Sequence, residues 1–276
     1  MSKSHTDTKD TAGARPMRRW VVKAGSNMVC SGGPLLLRAW MQQVAHLRRE
    51  HGIEVIWVTS GAIASAADRV PSARKKNRTL SEKQALSAIG QPMVMDLYNL
   101  ALNATGLMGA QILLTYDDIA DDQRRRNFQN TVEQLLTWGI TPVLNENDAV
   151  ATEEIKFGDN DSLSARVAWV TRAERLLILT DVAGLYDSDP RKNPQAARVP
   201  RLEQVTTALI DSTDKGGGSS RGTGGMYSKL SAAQLAADHG VETWLVQGDV
   251  PAVLLQVASD ADIGTRIAAR RRRGEK

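Results

Sequence analysis

A three-layer α/β fold, with helices on both faces of a mostly parallel central sheet, is what this chain predicts, and three observations carry the prediction. Short apolar bursts alternate with longer segments of helical spacing along most of the length. The turns after these bursts are rich in glycine, amides and acids, the groups that collect outside the carboxyl ends of strands in a parallel sheet. At 276 residues the chain is long enough to bury a sizeable core, in one large domain or two small ones.

Taken in order, residues 20–22 read as the first strand, and 35–47 show helical spacing before a second strand at 55–58. Residues 84–102 read as a helix that Pro92 kinks or ends, because proline lacks an N–H and its ring crowds the carbonyl four residues back. Strands follow at 110–114 and 142–144, with a helix at 128–138 between them. Next come a helix at 163–170, a buried strand at 176–179, a helix at 230–239 closing on Gly240, and a strand at 241–246. Right-handed crossovers connect such a sheet. Residues 1–18 are expected to form a flexible tail, 19–265 the folded domain, and 266–276 a basic tail.

Composition removes several function classes. Hydrophobic residues at 42% and charged residues at 24% suit a soluble globular protein, and no stretch approaches the roughly 20 apolar residues of a membrane helix. The first 19 residues have no apolar centre, which argues against a secretory signal, and Cys30 is the only cysteine, so the cytoplasm is expected. Residues 266–276 hold five Arg, one Lys and one Glu against a whole-chain net of +4, which leaves the body near neutral. That tail suits a polyanion or simply solvent; with 4% aromatic residues and no zinc-finger or RRM pattern, nucleic acid is not the expected partner.

Four glycine-bearing turns and one acidic block carry the candidate chemistry. Lys23, Ala24, Gly25 and Ser26 offer a cation and free backbone amides at a strand end, fit for phosphate or for a plain strand-to-helix turn. Thr59, Ser60 and Gly61 form a second strand end, which equally suits a helix cap. Thr180 and Asp181 end a third strand, where they suit a nucleotide or a turn. The glycine-rich run Gly216 to Gly225, with Met226, Ser228 and Lys229 after it, reads as a loop feeding a helix whose amino end attracts polyphosphate; the same run also suits a flexible linker.

The acidic block follows the 142–144 strand as Asn145, Glu146, Asn147, Asp148, then Lys156, Gly158, Asp159, Asn160 and Asp161. Amides interleaved with acids suit a zwitterion, although an acidic surface loop has the same composition. There is no Walker A pattern, no protein-kinase motif set and no G-x-G-x-x-G after the first strand.

Together these motifs resemble the glutamate 5-kinases of the amino acid kinase superfamily, over residues from about 20 to about 265. The specific elements are Val21-Val22-Lys23, Thr59-Ser60-Gly61-Ala62, Asn145-Glu146-Asn147-Asp148, Gly158-Asp159-Asn160-Asp161, Leu179-Thr180-Asp181 and Gly222-Thr223-Gly224-Gly225-Met226 with Lys229. The resemblance implies the amino acid kinase fold and ATP-dependent phosphorylation of the side-chain carboxylate of L-glutamate, the first step toward proline. It implies that Lys23 and Lys229 supply positive charge from opposite walls of a crevice and that Asp161 orients them. It further implies glutamate on Ser60, Asp148 and Asn160, completed by Asn145 and Asp159. The nucleotide falls to Lys23, Gly25, Thr180, Asp181, Thr223, Gly224, Gly225, Met226 and Lys229. Mg2+ is expected on the ATP phosphates with no direct protein ligand. The resemblance also implies a homo-oligomer, dimer or tetramer, and proline as feedback inhibitor. Ala24 and Asn27 stand where the family has a larger aliphatic residue and a hydroxyl, and the C-terminal PUA module of many bacterial members is not expected. Kept beside this reading are a noncatalytic amino-acid or nucleotide binder on the same fold and a sibling kinase of aspartate or N-acetylglutamate.

Overall fold

The structure, a computed structural model, describes residues 18–75, 77–152, 159–190, 193–213 and 225–270. Eight strands form one sheet: β1 (Arg18–Ala24), β2 (Ile53–Val58), β3 (Gly109–Leu114), β4 (Thr141–Glu146), β5 (Arg175–Thr180), β6 (Arg201–Leu202), β7 (Glu242–Gln247) and β8 (Thr265–Ile267). Their order across the sheet is β3-β4-β2-β1-β5-β7-β8-β6, and every pairing is parallel except β7 with β8.

Nine α-helices are described: α1 (Ser26–His51), α2 (Ala62–Ala67), α3 (Leu80–Asn103), α4 (Tyr116–Ala120), α5 (Asp122–Thr137), α6 (Asn160–Val170), α7 (Thr207–Ser212), α8 (Met226–Asp238) and α9 (Val253–Ala258). None is long and apolar enough to cross a membrane.

Strand residues alternate between two cores, because successive side chains leave opposite faces of a sheet. Val21, Ile56, Val58, Leu176 and Ile178 pack with Phe128 and Val132 of α5, Leu163 and Val167 of α6, and Leu230 and Ala233 of α8. Trp20, Val22, Trp57, Leu177 and Leu179 pack on the other face with Leu37 and Trp40 of α1, Val94 and Tyr98 of α3, and Leu254 of α9. The three-layer expectation therefore holds.

Two local expectations need correction. Helix α3 runs through Pro92 unbroken. Pro92 and Ala88 are both exposed, so the Ala88 carbonyl that loses its N–H partner lies on the solvent side, where water replaces it. The same helix starts earlier than the apolar spacing suggests, at a Thr79–Glu82 capping box. Among the described residues β1 spans Arg18–Ala24 and β8 takes in Arg266 and Ile267. Helix α8 ends as expected: Val241 N–H donates to the Ala236 carbonyl and Gly240 N–H to that of Ala237, with Gly240 at φ 80°.

Candidate active site

In this strand order the chain leaves β1 toward β2 on one side and reaches β5 on the other, and the carboxyl ends of β1 and β5 are where such a sheet places its ligands. Lys23 is the penultimate residue of β1 and is buried. Asp161 lies in the first turn of α6 and Lys229 in the first turn of α8. The two helices pack against each other through small residues, among them the fully buried Ala165, Ala168, Ala233 and Ala236, so their amino ends lie close together.

Asp161 is the hub of the site. Its carboxylate is wholly buried; Lys23 Nζ lies 2.6 Å from Oδ1 and Lys229 Nζ 3.6 Å from Oδ2. Ser228 Oγ donates to Oδ2 at 2.7 Å. Burial alone would raise this carboxyl, but the charges of Lys23 and Lys229 and the hydrogen bonds outweigh it and hold the pKa at about 2. Asp159 is shifted the other way, upward, by its own burial and by the neighbouring Asp161 charge.

Helix ends around this hub differ in a useful way. Asp159 caps α6 itself, accepting from Ser162 N–H at 2.8 Å. Helices α1 and α8 are capped by Gly25 and Gly225, with no side chain accepting from their first amides. Such amino ends are ready for an anion, and the position a Cβ would take at Gly25 lies 3.5 Å from Lys23 Nζ.

On the β2–β4 side, Asn160 Nδ2 points at three acceptors: Ser60 Oγ at 2.8 Å, Asn145 Oδ1 at 2.8 Å and the Thr59 carbonyl at 2.9 Å. Its Oδ1 is enclosed and receives no donor among the described residues. Asp148 follows β4 in a turn, half-buried. The strand end is braced from below, where Tyr98 Oη meets both Trp57 Nε1 at 2.8 Å and Thr59 Oγ1 at 3.0 Å. Burial pushes that phenol pKa upward, so Tyr98 stays neutral.

On the β5 side, Thr180 is buried and Asp181 exposed. Asn27 Nδ2 donates to Asp181 Oδ2 at 3.2 Å, a link between α1 and the β5 turn that Asn27 owes to its amide. Met226 opens α8 and packs against the core below it. Thr223 and Gly224, like Lys156 and Gly158, lie outside the described residues.

The structure thus brings Lys23, Asp161 and Lys229 together and joins Ser60, Asn145 and Asn160 by hydrogen bonds. Sequence reasoning passed over Ser228 and Asn27 as partners; Ser228 stands directly before Lys229, which was the available signal.

A model described as the amino acid kinase family matches residues 18–247. The glutamate 5-kinase of Thermus thermophilus is 46% identical over 263 residues, covering 94% of this chain and 70% of that protein. That of Symbiobacterium thermophilum is 41% identical over 255 residues, covering 91% of this chain and 96% of that protein. Among solved structures, isopentenyl phosphate kinase superposes with a TM-score of 0.61 at 17% identity, over 91% of this chain and all of the other, a likeness of fold alone.

Proposed function

The chain belongs to the amino acid kinase family and, within it, to the glutamate 5-kinases, and from that premise we propose how its crevice moves the γ-phosphoryl group of ATP to the side-chain carboxylate of L-glutamate. The product is L-glutamyl 5-phosphate, the first step toward proline. One observation carries the reading: two buried ammonium groups from different elements, Lys23 and Lys229, converge on the single carboxylate of Asp161.

The nucleophile needs no base, because a glutamate side chain with a pKa of about 4.3 is ionised at neutral pH. What remains is to hold two anions together and to stabilise charge spread over the transferring group. Lys23 and Lys229 do the second, held in place by Asp161, which stays ionised across the physiological range. The uncapped amides of α1 and α8 add donors around the phosphates. Thr180, Asp181, Gly25 and Gly225 form the nucleotide side, extended by Thr223 and Gly224.

Ser60, Asn145, Asp148, Asp159 and Asn160 form the amino-acid side. L-Glutamate carries one donor group, its α-ammonium, which the acidic groups of Asp148 and Asp159 suit. Ser60 accepts from Asn160, which leaves its own hydroxyl proton for a substrate carboxylate. Bound with ATP, Mg2+ would supply positive charge to the phosphates; Asp161, already engaged by two lysines, serves them rather than the metal. By likeness to the family, the assignment extends to a cytoplasmic homo-oligomer, dimer or tetramer, with proline as feedback inhibitor.

The test is an ATP and Mg2+ assay offering L-glutamate, L-aspartate and N-acetylglutamate in parallel, with hydroxylamine trapping the acyl phosphate. A hydroxamate from glutamate alone is expected; none from any substrate, with glutamate or ATP still bound, would make the protein a noncatalytic binder.

A further inference from the structure

Behind the amino-acid side lies a buried glutamine that the chemistry above does not use. Gln91 belongs to α3 and is 5% exposed. Its Oε1 accepts from Asn145 Nδ2 at 3.1 Å, and its Nε2 donates to the Glu146 carbonyl at 3.1 Å and to Ser87 Oγ at 3.4 Å. The Glu146 carbonyl is only an acceptor, so the Gln91 amide has one orientation in which both bonds form. Asn145 is held at both ends, its Nδ2 by Gln91 and its Oδ1 by Glu146 N–H at 2.9 Å. That same Oδ1 receives Asn160 Nδ2. A continuous chain of hydrogen bonds therefore runs from α3 through Asn145 to Asn160 and Ser60.

The backbone is arranged to let this happen. At Gly90 a Cβ would sit 1.8 Å from the Ala62 carbonyl oxygen, so only glycine lets α3 press against the start of α2, two residues after Ser60. That close approach brings the next residue, Gln91, within reach of β4.

The geometry points to Gln91 as a positioning residue for the amino-acid substrate: it holds Asn145, and through it Asn160 and Ser60, in the arrangement that receives L-glutamate. This rests on the assignment of that side of the crevice to glutamate. Without Gln91, Asn145 Nδ2 is buried with no acceptor, and its side chain shifts to find one.

The experiment is a steady-state comparison of Gln91→Met, Gln91→Glu, Asn145→Ala and the Gln91→Met/Asn145→Ala pair in the full chain, with thermal unfolding as control. Gln91→Met should raise KM for L-glutamate about 5- to 30-fold, the weight of one buried group left unpaired, and leave KM for ATP within about twofold. Gln91→Glu keeps an acceptor for Asn145 and should recover part of the loss. In the Asn145→Ala background the Met substitution should add little, because the two act in series. Equal rises in both KM values, full additivity with Asn145→Ala, or an unchanged glutamate KM would each overturn the inference. Calorimetric titration of wild type and Gln91→Met with L-glutamate separates the questions. Loss of glutamate affinity in the variant upholds Gln91 even where no acyl phosphate forms, and equal affinity removes it.

Discussion

At the amino ends of the strands, Arg175 is 6% exposed and lies between the rings of Trp20 and Trp244, at 5.3 and 5.7 Å. Its guanidinium meets Glu242 at 3.0 Å, Asp260 at 2.7 Å and the Val257 carbonyl at 2.9 Å. Arg266 answers Glu242 from β8, and Arg18 answers Glu174 from β1. At the carboxyl ends, Lys23 and Lys229 are as deeply buried but share one carboxylate. One set of charges is matched by several carboxylates and by aromatic faces on neighbouring strands; the other is gathered from a strand and two helix starts. Under the proposed assignment the difference separates charge that fastens a sheet from charge kept in place to meet a ligand.

Asp161→Asn is the substitution that should do most, since it removes the carboxylate that both Lys23 and Lys229 approach. Breaking such a pair costs about 3–5 kcal/mol, read by denaturant unfolding, and turnover should fall with it. Arg175→Met should cost a similar stability, about 3–5 kcal/mol, yet leave kcat and KM of the folded enzyme within about twofold. A fall in kcat matching that of the site variants would break the comparison. Lys23→Ala and Lys229→Ala should each lower kcat by about 10²–10³-fold with smaller changes in KM, the weight of a group acting on transition-state charge. Wild-type turnover in either would remove that lysine from the mechanism.

Acid sharpens the contrast further. Asp161 has a folded pKa of about 2 against an ordinary aspartate value of about 3.9, so its contribution is fully present above about pH 4 and is lost as pH falls toward 2. The expected loss is about 2–3 kcal/mol, and Asp161→Asn should remove that part of the acid limb of a stability titration. The smallest effect is expected at Asn27→Ser, which deletes one exposed hydrogen bond to Asp181: a change in ATP KM of no more than about threefold, with glutamate KM unaffected.

What the sequence disclosed, and what it hid, follows from range. Strands buried on both faces, such as Leu176 to Leu179, are visible as apolar runs, and the helix end at Gly240 is visible because its signal is local. The three-residue β8 and two-residue β6 have too few residues to show a period. Pro92 does not end its helix, and helix propensity could not foresee that, because it says nothing of which face is wet. In the site, Lys23, Asp161 and Lys229 each show as a candidate in a local motif, but their convergence was legible only by resemblance to a family, since they lie far apart in the chain. Gln91 and Asn27 act through partners on other elements, and composition carries no trace of that.

The order of strands has one last consequence. Asn145 comes from β4 and Ser60 follows β2, Lys23 lies near the end of β1, and Thr180 ends β5, in that sequence across the sheet. Neighbouring strands are held at roughly 4.8 Å by their hydrogen bonds. Under the proposed assignment the sheet works as a ruler: donor and acceptor molecules are each pegged to a graduation, and backbone spacing sets the gap a phosphorus atom must cross.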